Sequence, residues 1–247
     1  MILRKLAEAL RQQSWFTAVL EVFIVVVGIF IGLQADSWNE SRKTQILEGQ
    51  YLERLHDDFS RSLAGATENR DGLQRQYDSL GLVLERLKSC RLDDADLDVF
   101  TTGLMRLAQF TPEPLIRGTI DELGSTGRLD VISDLELRNA LSEAVRQSDA
   151  SKEIVGFIVQ RVSLPTAYVD SKLVRNLPPT DEVISVEGVV PAHRLEFDFP
   201  AMCEDKEFIG SVSMIQYATY ILVRYNQRAM EQYLGVVETL ERELGYP

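Results

Sequence analysis

The strongest constraint on this chain lies near its N-terminus, where Trp15-Phe-Thr-Ala-Val-Leu-Glu-Val-Phe-Ile-Val-Val-Val-Gly-Ile-Phe-Ile-Gly-Leu33 runs almost without a polar side chain. Between residues 16 and 33 only Thr17 and Glu21 interrupt it. As an α-helix that stretch rises about 27 Å, close to the hydrocarbon thickness of a bilayer. Trp15 and Trp38, the chain's two tryptophans, flank it where aromatic rings settle at membrane interfaces. The rival expectation is a secretory signal, whose apolar region is ordinarily about 7–15 residues long. The one small-residue exit here, Gln34-Ala35-Asp36, carries Leu33 at its −3 position. The sequence therefore predicts an uncleaved transmembrane helix over residues 15–35, after a short segment 1–14 and before a domain of residues 36–247.

Orientation follows from charge. Arg4, Lys5 and Arg11 precede the span, and Arg42 and Lys43 follow it, so three basic residues against two favour an N-terminus inside the cytoplasm. Formal net charge is −12 and most of the acid lies after the span, which excludes a nucleic-acid backbone as partner. The expected location is a bacterial inner membrane, with residues 1–14 cytoplasmic and residues 36–247 periplasmic.

The span carries more than an anchor needs. Gly28-Ile-Phe-Ile-Gly32 is a Gly-x-x-x-Gly step, the spacing that lets two helix backbones approach closely. Glu21, Gly28 and Ala35 recur every seven residues and share a face with Gly32 beside them. A carboxylate in hydrocarbon costs about 3 kcal/mol on insertion scales. Glu21 therefore serves packing or a polar pocket, unless it reaches back to the headgroups near Trp15.

Beyond the span, Phe30-Ile-Gly-Leu-Gln-Ala-Asp-Ser-Trp-Asn-Glu40 resembles the exit motif of a family of uncharacterised bacterial single-span membrane proteins. In that family an apolar, Gly-containing helix runs into a Trp-Asn-Glu triplet, here Trp38, Asn39 and Glu40. Asp121-Glu-Leu-Gly-Ser-Thr-Gly-Arg-Leu-Asp-Val-Ile, followed by Leu135-Glu-Leu-Arg-Asn-Ala-Leu141, is similar to a second pattern in the same family. Members often continue with a tyrosine-rich stretch where this chain has Ser-Glu-Ala-Val-Arg146. The resemblance implies the single-span topology and a helical fold, and assigns no activity.

The fold expected is mainly α: the N-terminal transmembrane helix plus an extramembrane helical bundle, with a minor β-hairpin or extended loop. Leu52, Leu55, Phe59, Ser62/Leu63, Ala66, Leu73, Tyr77, Leu80, Leu84 and Leu87 step by three and four, a narrow seam of the bundle type. No proline intervenes before Pro112, so the anchor can continue helical to about Arg91, with Gly49, Gly65, Gly72 and Gly81 as candidate bends and at least one break expected. Asp94 or Asp96 is the expected cap of a helix through Ala108, a better reading of this acidic turn than a calcium loop. Pro112 and Pro114 open a short helix ending at Gly124 or Gly127, and Ser133-Asp-Leu-Glu136 is a capping box before a helix that runs, with a break, to Leu164-Pro165. Residues 177–207 read as loop and short strands, with alternation in Val183-Ile-Ser-Val and Arg194-Leu-Glu-Phe-Asp-Phe199. Residues 208–244 form one long C-terminal helix, central to the bundle, with Tyr217, Tyr220, Tyr225 and Tyr233 in its core and rim.

Catalytic motifs are wanting: no nucleophile elbow, phosphate loop, dinucleotide fingerprint or His-Glu-x-x-His occurs. His56, before Asp57 and Asp58, reads as a solvated helix face, and His193 as a loop residue. Cys90 and Cys203 can form one disulfide in a periplasmic domain or remain two thiols. No catalytic, cofactor-binding or metal-binding residue is predicted. The function expected is a non-enzymatic structural or accessory protein whose partners are the lipid bilayer, other membrane proteins or itself. The alternative is a periplasmic ligand-sensing module signalling through a partner, and an enzyme built on scattered carboxylates has no spacing to support it.

Overall fold

The computed structural model describes residues 15–107, 110–111, 115–175 and 195–246, with side chains from Val19 onward. Among the described residues there are six α-helices: α1 (Trp15–Ser89), α2 (Asp94–Met105), α3 (Gly118–Ser125), α4 (Leu135–Asp170), α5 (Phe199–Glu204) and α6 (Lys206–Leu244). Leu129–Val131 makes a 3-10 turn, and β1 (Val174–Arg175) pairs antiparallel with β2 (Leu195–Glu196). The protein is mainly α with one minor strand pair. The chain divides into two compact units, Met1–Tyr51 and Leu52–Pro247, and α1 contributes to both.

The described part of the first unit is helix alone. From Val19 to Leu33 its apolar side chains are all exposed, Phe23 63% and Ile31 64%, as is Trp38 at 70%. That stretch is long and apolar enough to cross a membrane.

In the second unit the narrow seam on α1 does bury. Leu52, Leu55, Phe59, Ser62, Ala66, Leu73, Leu80, Leu84 and Leu87 are inside, and Gln76 rather than Tyr77 fills the step between Leu73 and Leu80. Helix α6 runs antiparallel to this seam. Tyr77 O accepts from Gln216 Nε2 (3.3 Å), Asn69 Nδ2 donates to Asn226 Oδ1 (2.8 Å), and the Phe59 and Tyr233 rings meet edge to face at 5.8 Å. Helix α4 lies along α6 with Val155, Ile158 and Val162 turned inward. Phe208, Val212, Ile215, Leu222, Tyr233 and Leu240 give α6 its buried stripe, which makes it the central helix. Each such side chain contributes about 1.5–3 kcal/mol by leaving water. Helix α2 closes on α1 at Gly103, where a Cβ would meet Val83 Cγ2 at 3.0 Å and Ser79 O at 3.2 Å.

Several boundaries differ from expectation. The helix runs through Gly49, Gly65, Gly72 and Gly81 without a break. A glycine costs about 1 kcal/mol in a helix, which the burial around Leu73, Leu80 and Leu84 exceeds. Helix α1 stops at Ser89, because Cys90 takes a left-handed φ of 48° and Arg91 N–H turns back to Arg86 O (3.3 Å), a Schellman closure. Helix α2 is capped from Asp93, whose side chain makes no capping bond, so Asp94 and Asp96 occupy its first turn. Asp134, not Ser133, caps α4, accepting from Glu136 N–H (2.6 Å) and Leu137 N–H (3.2 Å). Helix α4 continues through half-buried Pro165, although a proline there removes one i to i−4 hydrogen bond.

Strand β2 falls inside the alternating stretch near residue 195, but its partner is Val174–Arg175. Val183-Ile-Ser-Val, Pro112, Pro114 and Ala108 lie outside the described residues. Where alternation continued to Phe199, the chain instead turns into α5, because Asp198 accepts from Ala201 N–H (3.1 Å) and Pro200 suits a first helical turn.

Candidate functional site

The residues singled out on the span all lie on α1. Glu21, Gly28, Gly32 and Ala35 are exposed, and a Cβ built on either glycine meets nothing within 4 Å. The face is open to a second helix at the backbone itself. Trp38, Asn39 and Glu40 are also exposed, and Glu40 O accepts from Thr44 Oγ1 (3.1 Å). Trp15 begins α1, and its side chain lies outside the described ones.

Cys90 and Cys203, 113 residues apart in sequence, are joined by a disulfide with their Cα atoms 5.6 Å apart. The bond ties the left-handed end of α1 to the last turn of α5. Next to Cys203 stands Asp205, which caps α6 by accepting from Phe208 N–H (2.9 Å) through Oδ1. Its other oxygen accepts from Tyr168 Oη (2.8 Å), in the last turn of α4, and pairs with Lys172 Nζ (3.2 Å), in the turn that follows it. The Phe208 N–H, then the Tyr168 hydroxyl and Lys172, hold the Asp205 carboxyl below the usual carboxylate range. The same hydrogen bond to Asp205, helped by burial, raises Tyr168, and Asp205 followed by Tyr168 raises Lys172. A raised phenol and a raised amine are poor nucleophiles at neutral pH, so this trio is a knot joining three helix ends.

The acidic face around His56 is less solvated than its sequence suggests. Asp58 is 8% exposed, takes Thr119 N–H on Oδ2 (3.2 Å) and pairs with Arg61 (2.9 Å). His56 faces Glu241 Oε1 (3.6 Å), with the Tyr246 ring edge-on at 5.3 Å. Burial of Asp58 and its hold on the start of α3 make it a structural carboxylate. His193 lies outside the described residues.

Several clefts open on the described residues of the second unit, two of them grooves between helices. The smaller lies between α4 and α6 and is apolar, with Phe157 62% and Tyr217 65% exposed at its rim. The larger, about 680 Å³, follows the α1–α2 crossing and holds Arg75 and Arg106 at one end. The sequence reading missed it. Its only trace is spacing, since Arg75, Ser79 and Leu82 match Arg106, Thr102 and Val99 once the helices are known to run antiparallel.

Among the described residues, no three His, Cys, Asp or Glu side chains gather as a metal site would require. Comparison with protein-family models, with curated proteins and with solved structures finds no match to this chain.

Proposed function

We propose that the chain is a non-enzymatic, membrane-anchored accessory or structural protein of a bacterial inner membrane. It packs through its membrane helix and its helical domain into a homo-oligomer or a larger membrane protein complex. The observation that carries this reading is the exposure of the apolar part of α1 together with the open backbone at Gly28 and Gly32. Lipid satisfies the apolar side chains, and a second helix suits the glycine step, because small residues there let backbones touch. Glu21 and Ala35 lie on the same face and complete the contact, with Glu21 either paired across it or drawn toward the headgroups.

Trp15, Trp38, Asn39 and Glu40 then bracket the bilayer, the last three forming the Trp-Asn-Glu exit that resembles the single-span family. Residues 1–14 stay in the cytoplasm and the domain beyond residue 36 lies in the periplasm. The disulfide between Cys90 and Cys203 supports that side, since such bonds persist in oxidising compartments.

The test is the particle mass of the detergent-solubilised full chain with Gly28→Leu and Gly32→Leu together. The expected result is a smaller particle with unchanged helicity. An unchanged mass would remove the span as the contact surface.

A further inference from the structure

The groove between α4 and α6 has two unlike ends. Tyr168, near the close of α4, meets Asp205 just before α6, so the two helices run antiparallel. That order sets Arg161 toward Met214 and Phe157 toward Ile221 along the groove. Met214 and Ile221 are seven helical residues apart, about 10 Å. Ile158, Val162 and Ala218, all buried, form the floor. Phe157 and Tyr217 stand exposed at the rims, and neither ring stacks on another ring among the described residues. A space of about 280 Å³ lies between the helices.

Among the described residues, the one charged side chain lining this groove is Arg161. It is exposed and takes part in none of the ion pairs found among the described residues. Its own helix offers it no carboxylate, since the positions three and four away are Phe157, Ile158, Leu164 and Pro165. The facing turns of α6, from Gly210 to Tyr217, hold no Asp or Glu either. On a chain of net charge −12, a guanidinium set beside an apolar floor with no acid in the lining singles the groove out. An anionic head joined to an apolar tail matches both features at once.

We propose that this groove binds a free medium-chain carboxylate, its head on Arg161 and its tail over Ile158 and Ala218. The planar guanidinium fork matches the two carboxylate oxygens. Met214, with its flexible thioether, fits itself to the start of the tail. An extended tail of about 10 Å fills the run from Met214 to Ile221. A volume of about 280 Å³ suits one such chain and is too small for a two-chain lipid. A second copy seated groove to groove would set Arg161 against Arg161, because a twofold contact turns the same patch on itself. The groove lies wholly within the second unit and does not depend on the membrane contact at Gly28 and Gly32, so each can fail without the other.

The test uses the full chain in phosphatidylcholine nanodiscs, with octanoate bearing a terminal trifluoromethyl group as probe. Binding is followed by fluorine NMR of the ligand, and empty nanodiscs subtract its partition into lipid. Saturable binding is expected. Arg161→Gln should weaken it about tenfold, the worth of one charge-assisted contact, and Arg161→Lys less. Phe157→Ser, which takes away one rim, should also weaken it, and the matching alcohol should bind about tenfold more weakly than the acid. Both side chains are exposed, so these variants should keep full helicity. Nanodiscs containing phosphatidylglycerol should give the same affinity. The proposal is overturned by the absence of saturable binding, which would leave the groove to another occupant, by unchanged affinity in Arg161→Gln, or by displacement of the probe by the anionic lipid.

Discussion

Asp205 joins three partners at once: one carboxylate caps α6, receives the Tyr168 hydroxyl and pairs with Lys172. Its folded carboxyl sits below the ordinary value of 3.8, so its stabilisation is present above that value and is lost as pH falls through the lower folded one. Tyr168 and Lys172 are raised above 10.0 and 10.5, so their share is present below those values and is lost as pH rises through the folded ones. The knot is therefore complete across the neutral range. Asp205→Asn keeps a capping oxygen but removes the charge, and should melt below the unaltered chain at pH 7. The gap should close as pH is lowered past 3.8; a gap unchanged to the acid limit would show that the charge is idle. Nothing in the sequence marks Asp205 apart from Asp198 or Asp93, because its partners come from a helix end more than thirty residues upstream.

At the scale of elements, the α1–α2 crossing and the disulfide are the sharpest features. Gly103→Ala should destabilise the domain by about 1–3 kcal/mol, since the new Cβ meets Ser79 backbone that cannot swing aside. Gly156→Ala, in α4 with nothing within 4 Å, should stabilise by up to about 1 kcal/mol. Equal effects in denaturant unfolding would contradict the close approach. Cys203→Ser should cost about 2–4 kcal/mol, and reductant should bring the unaltered chain to the same unfolding midpoint. A midpoint indifferent to reductant would mean the bond contributes nothing.

These elements also show what pattern alone can deliver. The seam from Leu52 to Leu87 was readable because a helix buries a fixed stripe. Its one misassignment, Tyr77 for Gln76, arises because both fit a step of three or four from Leu73 and only the tyrosine is largely apolar. The glycines read as candidate bends with at least one break, and Pro165 as a helix end, because local propensity favours both; in the fold both helices continue. The two cysteines were visible as a possible pair, but the fold was needed to bring them together. The groove was invisible, since its chemistry exists only when two helices are laid antiparallel.

At the scale of the whole molecule, the sequence feature that dominates is also the least satisfied one. The second unit buries its own core, from Leu55 and Phe59 to Leu222 and Leu240, while the apolar residues of α1 from Val19 to Leu33 are exposed. A bilayer and a neighbouring helix supply what the chain does not. The most direct measurement is gentle-detergent extraction from native membranes, followed by size separation and mass spectrometry of whatever travels with the chain. The proposed role requires the chain in the membrane fraction, in a particle larger than one 28.0 kDa copy with its detergent. Recovery in the soluble fraction, or migration as a single copy, would contradict it.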